Sequence, residues 1–324
     1  MTLTAPETVR ARPARPAATV RTVLRLHRGA LIVWLILVAA AAGSLLWAYG
    51  PIATDAWANW RRQCPDDLDA CMWDTRINGY YRAVRLPEMA IAWLTLPVAA
   101  WAGAALIGRE LENGTAKLAW TQSVTPARWL ATKLIMPAAV LTAGTTALVL
   151  VHRLVYEDNP FPVFLHWMDA ETFIANGPVA LALPLCGLAL GALTGLLLRR
   201  TLPALAIGTA VTWGVVYVAD LVTPDLWPWK TATASLDSAW PNMGDDVLFG
   251  DEGMLTSSGG RITYPDCGDD FARCAADHHA VAFYADYHPA SHFWPLQLIQ
   301  TGILLTVALA ATAAAFLLLR RRTA

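Results

Sequence analysis

The sequence predicts an all-α, polytopic membrane protein with six transmembrane helices, cytoplasmic termini and a large extracellular loop between helices five and six. Three observations lead there. First, 56% of the 324 residues are hydrophobic and only 15% are charged, whereas soluble domains carry about 25% charged residues. Second, apolar residues gather in six blocks near the roughly 17–25 residues that cross a bilayer. The blocks are Ala30–Tyr49, Met89–Ile107, Leu134–Val151, Val179–Leu198, Leu202–Val222 and Trp294–Leu319. Third, the near-zero net charge conceals an asymmetry. With the N-terminus inside, the inner segments collect 15 of the 24 Lys and Arg and only three acids, Glu7, Glu110 and Glu112. Basic residues beside spans set orientation, so this topology is favoured for a protein of the plasma membrane. Arg61, Arg62, Arg76, Arg82 and Arg85 in the first outer loop run against it mildly.

Residues 1–28 read as a cytoplasmic tail, because Arg, Pro and Ala dominate and no apolar core of a cleavable signal is evident. Within it, Val20–Arg28 alternates apolar and arginine positions at helical spacing, which suits a short amphipathic helix on the inner leaflet or a basic topological flank. The remainder, 29–324, is expected to be the six-helix membrane domain. Its extracellular loops are placed at 50–88, 152–178 and 223–293, and a cytoplasmic loop at 108–133. The 223–293 loop is acidic and rich in Gly and Pro turn signals, so it is expected to be a solvated cap and not a packed domain. Pro97, Pro137 and Pro184 fall inside spans and predict bends.

Cys64 and Cys71 share one outer loop and Cys267 and Cys274 another, each pair separated by six residues, which makes both candidate disulfides on an oxidising face. Gly187, Gly191 and Gly195 recur every four residues and line one face of the fourth span, for close packing within the chain or against another copy. Gln297 and Gln300 fall one turn apart in the sixth span and suit interhelical hydrogen bonding. Glu88 and Asp220 sit at span edges, where water is within reach. His278, His279, His288 and His292, with Asp277 and Asp286, form the one candidate metal cluster. It lacks an H-E-x-x-H or Cys–His framework, and Pro289 interrupts it, so no metal is assigned and no catalytic residue is evident. The basic residues form no patch for nucleic acid.

The passage Arg109–Lys133 carries the densest helix signals of any connection. Asn113-Gly114 is a stop, Thr115 can cap a new helix, and Thr125-Pro126 is a second start. A short rigid element between two turns can transmit force. With Glu110, Glu112, Gly114, Thr115, the Thr121–Arg128 stretch and Lys133, this passage resembles the connector between spans two and three of ABC-2-type permeases. The His288–Gln297 stretch is similar to the start of the final span in actinobacterial members of that family. The resemblance implies a permease subunit of an ATP-driven exporter. Its connector would hold a coupling helix docked on a separate ABC ATPase subunit. Partners would then be that ATPase, a second permease copy or paralogue, and membrane lipid. No cofactor is expected on this chain, with ATP and Mg on the partner. The chain accordingly contains no G-x-x-x-x-G-K-[ST] motif. A non-transporting membrane sensor or resistance protein with a ligand-binding outer loop is the alternative reading, and a membrane metalloenzyme built on the histidine cluster a more remote one.

Overall fold

The computed structural model describes residues 28–63, 74–121, 124–159, 165–237, 240–244, 246–265 and 270–323. The predicted amphipathic helix at Val20–Arg28 therefore lies almost entirely outside the described residues. The chain divides into two compact units, Met1–Ala40 and Ala41–Ala324. In the first, the described residues are the apolar beginning of helix α1 (Arg28–Trp47). Everything below concerns the second unit.

Six helical stretches among the described residues are long and apolar enough to cross a membrane, in register with the six predicted blocks. The first continues from α1 through a π-helical turn at Ala48–Ile52 into α2 (Ala53–Gln63). The second comprises α3 (Thr75–Trp93), a short helical piece Thr95–Pro97, a π-helical segment Val98–Ala105 and α4 (Leu106–Glu112). Pro97 has no N–H to give the ladder, and the helix widens to π geometry directly after it. A short helix α5 (Thr115–Thr121) precedes α6 (Pro126–Glu157), which is the third span, and α7 (Ala170–Ala175) follows. The fourth and fifth spans are α8 (Val179–Leu198) and α9 (Thr201–Val222). Helices α6 and α8 run unbroken through Pro137 and Pro184.

The segment expected to be a solvated loop folds instead into a four-stranded antiparallel sheet of β1 (Lys230–Ser235), β2 (Leu248–Thr256), β3 (Arg261–Thr263) and β4 (Ala280–His288). The order is β1-β4-β2-β3. The all-α expectation thus holds for the spans and fails here. The cause is local chemistry. Lys230-Thr-Ala-Thr-Ala-Ser pairs register by register with Phe283, Tyr284 and their neighbours on β4. One face is then covered by a cluster in which Phe283 meets Tyr264, Phe271 and Trp240 with ring centroids 5.4–6.1 Å apart. Phe271 opens helix α10 (Phe271–Asp277). Gly253 lets the ladder close, since a Cβ there would stand 2.1 Å from the Ile262 carbonyl oxygen. The chain leaves the sheet through Pro289 into the last span, α11 (Phe293–Thr323).

The described parts of the expected loop 50–88, residues 50–63 and 74–88, are helical almost throughout. Helix α2 and the first half of α3 pack through Ala56, Trp60, Ile77, Tyr80 and Val84, with Val155 at the far end of α6. The spans therefore extend well past their apolar blocks at this end, called the cap end below. The opposite end carries α5 and is called the connector end.

Helix α8 is the hub. Of its apolar window 67% is buried, against 17–35% for the windows of the second, third, fifth and sixth spans. Small residues permit this. Gly191 lies against the π-helical segment so closely that a Cβ would stand 2.2 Å from the Ala99 carbonyl oxygen, and one on Gly103 would stand 2.7 Å from the Gly191 Cα. Gly195 packs on Ala104 and Ile107, and Gly208 of α9 on Thr194. Gly187 is buried on the same helix. We therefore expect Gly191→Ala to cost about 1–3 kcal/mol by overpacking, read as a lower Tm in thermal unfolding of the purified chain. Gly302→Ala, with nothing within 4 Å, should stay within about 0.5 kcal/mol of the parent. Equal melting of the two variants would mean that the second and fourth spans do not meet at Gly191.

Candidate functional site: the connector between the second and third spans

Helix α4 stops where the sequence says it should. Asn113 is the C-cap and Gly114 takes a left-handed φ of +72°, a conformation that costs glycine little. The carbonyl of Gly114 accepts from the Leu118 N–H and so starts α5. Thr115 does not cap it as expected. Its hydroxyl donates backwards to the Glu110 carbonyl at 3.2 Å. The second start is built as expected, with Thr125 Oγ1 accepting from the Arg128 N–H at 3.3 Å and Pro126 in the first turn. Gln122 and Ser123 of the motif lie outside the described residues.

Two carboxylates fix this passage to the spans. Glu110 and Glu112 stand two residues apart, about 200° around a helix, so they leave opposite faces. Glu110 turns to α6, where Oε2 accepts the Trp129 indole N–H at 2.8 Å and Oε1 pairs with the Lys133 ammonium. Lys133 is only 14% exposed, a position in which an ammonium needs its partner. Glu112 turns to α9. Its Oε2 accepts from the Thr201 backbone N–H at 2.8 Å and the Thr201 hydroxyl at 2.6 Å. The residue preceding that helix, Arg200, offers no side-chain cap. Glu112 thus caps the fifth span from another helix, satisfying an orphan amide at its positive end. Gly108 brings the backbones together there, a Cβ on it standing 3.3 Å from Arg200 and Thr201.

Helix α5 rests on this frame through buried Ala116 and through Trp120, whose ring meets Trp129 edge-on at 5.7 Å. Its other side is exposed and presents Lys117, Leu118 and Thr121, and Arg109 and Arg128 on the flanking helices are exposed too. The residues singled out from the sequence therefore fall into two groups. Glu110, Glu112, Gly114, Thr115 and Lys133 build the frame, while Arg128 stays free at its surface.

A second polar network, at the cap end, was not foreseen. Glu88 is fully buried, at 0% exposure, and does not reach water at a span edge. His152 Nε2 lies 2.7 Å from its Oε1, Thr172 Oγ1 donates to the same oxygen at 3.0 Å, and Arg85 Nη1 donates to Oε2 at 3.3 Å. Arg85 also donates to Glu171 at 2.7 Å, and His152 Nδ1 lies 3.4 Å from the Asn176 side-chain oxygen. The second span is thereby tied to α6 and α7. His152 falls in the expected loop 152–178 because the apolar block ends at Val151. The helical period of Val151 and Val155, both packed in the cluster around Tyr80, is the signal that the helix continues. Gln297 is an interhelical link. It donates to the Phe173 carbonyl at 2.5 Å and accepts from the Val179 N–H at 3.1 Å, capping α8.

The histidines separate. His288 and His292 are buried, with Nδ1 atoms 2.7 Å apart, and His288 Nε2–H donates to the Pro224 carbonyl at 2.8 Å. Burial holds the His288 pKa below its ordinary value, against the opposing pull of the Pro224 carbonyl and Asp225. His278 and His279 are exposed at the other end of β4. Among the described residues no group of three His, Cys, Asp or Glu could hold a metal ion. Cys274 is disulfide-bonded and Cys186 is a buried free thiol. Cys64, Cys71 and Cys267 lie outside the described residues.

Comparison with known proteins bears on the connector directly. No curated protein and no solved structure matches the chain. One family model does, that described as ABC-2 membrane transporter related, over residues 30–223. The match is well over half of the chain and takes in the first five spans and the whole connector, stopping before the sheet. The chain belongs to the ABC-2 membrane transporter related family and is a membrane permease subunit of ABC-transporter type, not itself an enzyme.

Proposed function

We propose that this chain is the permease of an ATP-driven exporter in the plasma membrane, and that α5 is the element on which a separate ATPase subunit pushes. The family supplies the permease; the observation that carries the coupling is the frame beneath α5. Glu110 links the connector to the third span and Glu112 links it to the fifth. The connector end faces the cytosol, in keeping with the arginines and lysines gathered there. A displacement of α5 then moves two further spans with the second. ATP and Mg belong to the partner, two copies of which would serve a pair of permeases. A mixed basic and apolar surface of Lys117, Leu118 and Arg128 suits docking in a cleft.

This division of labour separates two kinds of variant. Arg128→Glu combined with Leu118→Ala should leave thermal stability within about 0.5 kcal/mol yet abolish co-purification with the cognate ATPase and the stimulation of its hydrolysis. Glu112→Ala should behave differently. Loss of the cap costs about 1 kcal/mol, read as a lower Tm, with ATPase binding retained and stimulation reduced. Unchanged association and hydrolysis in the Arg128/Leu118 variant would refute α5 as the docking element.

A further inference from the structure

At the cap end of the membrane region the second, fourth, fifth and sixth spans and α7 line a half-open cavity of about 160 Å³. Its chemistry is one-sided. Trp93, Trp213 and Tyr217 supply aromatic surface, Trp213 and Tyr217 stacked at 5.4 Å with an interplanar angle of 14°. Glu171 and Asp220 supply carboxylates. Arg85 pairs with Glu171, and no cation pairs with Asp220 among the described residues. Gln300 lines the cavity from the sixth span. It is 5% exposed, and its Oε1 is buried with no hydrogen-bond partner. A buried acceptor left without a donor costs about 1–3 kcal/mol, so a ligand that brings an N–H gains what the protein forgoes.

Each feature asks for the same complement. Aromatic faces attract cations, carboxylates attract positive charge, and the orphan amide oxygen requires a hydrogen-bond donor. We propose that this cavity binds a protonated alkylamine, its ammonium N–H directed to Gln300 Oε1, its charge balanced by Asp220 and Glu171, and its apolar chain lying along Trp93 and Trp213. A quaternary ammonium satisfies the aromatics and acids but has no N–H to donate, and an alcohol donates but carries no charge. As the cargo class of the transporter, the assignment rests on the permease reading above. As a binding site, it does not.

The test uses the full chain in phosphatidylcholine nanodiscs, without an ATPase, titrated calorimetrically with hexylammonium, hexyltrimethylammonium and hexanol. Protein-free nanodiscs provide the subtraction. Hexylammonium should bind saturably at one per chain, and each analogue about tenfold or more weaker. Asp220→Asn and Gln300→Leu should each weaken hexylammonium about tenfold. The comparison of the three probes on the unaltered chain stands even if a variant fails to fold. Nanodiscs containing phosphatidylethanolamine identify the source. Weaker hexylammonium binding in them supports a lipid headgroup as occupant, and unchanged binding supports a free amine. Equal affinity for the three probes, or no saturable binding, overturns the proposal. Because no ATPase is present, that result leaves the permease reading standing. A chain that binds hexylammonium but never couples to an ATPase would sink the permease reading alone.

Discussion

The constraint on which this structure turns is the pairing of the second span with the third at both of its ends by buried or half-buried carboxylates. At one end Glu110 takes the Trp129 indole and the Lys133 ammonium. At the other, Glu88 takes His152, Thr172 and Arg85. Charged groups are costly in a membrane interior and persist where partners satisfy them. Fixed at two widely separated points, the two helices cannot slide or rotate past one another without breaking a charge-assisted hydrogen bond. Glu112 adds the fifth span to this body by capping its first turn.

Between the fixed ends lies the π-helical segment of the second span after Pro97, which is also where Gly103 and Gly191 bring two backbones together. π turns recur at functional positions in helices. Here the wide turn is held against the hub helix α8, so the span has a defined contact at its middle as well as clamps at its ends. The cavity proposed for an amine opens beside Trp93 and Leu96, just on the cap side of that segment.

Much of this was legible in the sequence, for identifiable reasons. Block length found the spans because the thickness of the bilayer sets it. Asn113-Gly114 and Thr125-Pro126 marked the connector because helix ends need particular backbone chemistry. The sheet was not legible, since Gly and Pro turns separate its strands and the cluster around Phe283 that holds them draws on residues far apart in sequence. Nor were the clamps. Glu112 and Thr201 are 89 residues apart and Glu88 and Thr172 are 84, so nothing local announces the pairs. The acids of the connector read as docking residues, yet the geometry spends Glu110 and Glu112 on the frame.

The account stands on the connector moving as part of this body, and a distance measures that directly. Spin labels at positions 117 on α5 and 202 on α9, in the permease assembled with its ATPase, report the spacing between the docking helix and the fifth span. A single narrow distribution, the same without nucleotide and with ATP trapped, is the expected result. A distribution that shifts or broadens on ATP binding would mean that α5 swings independently of the spans, contradicting the coupling proposed for it.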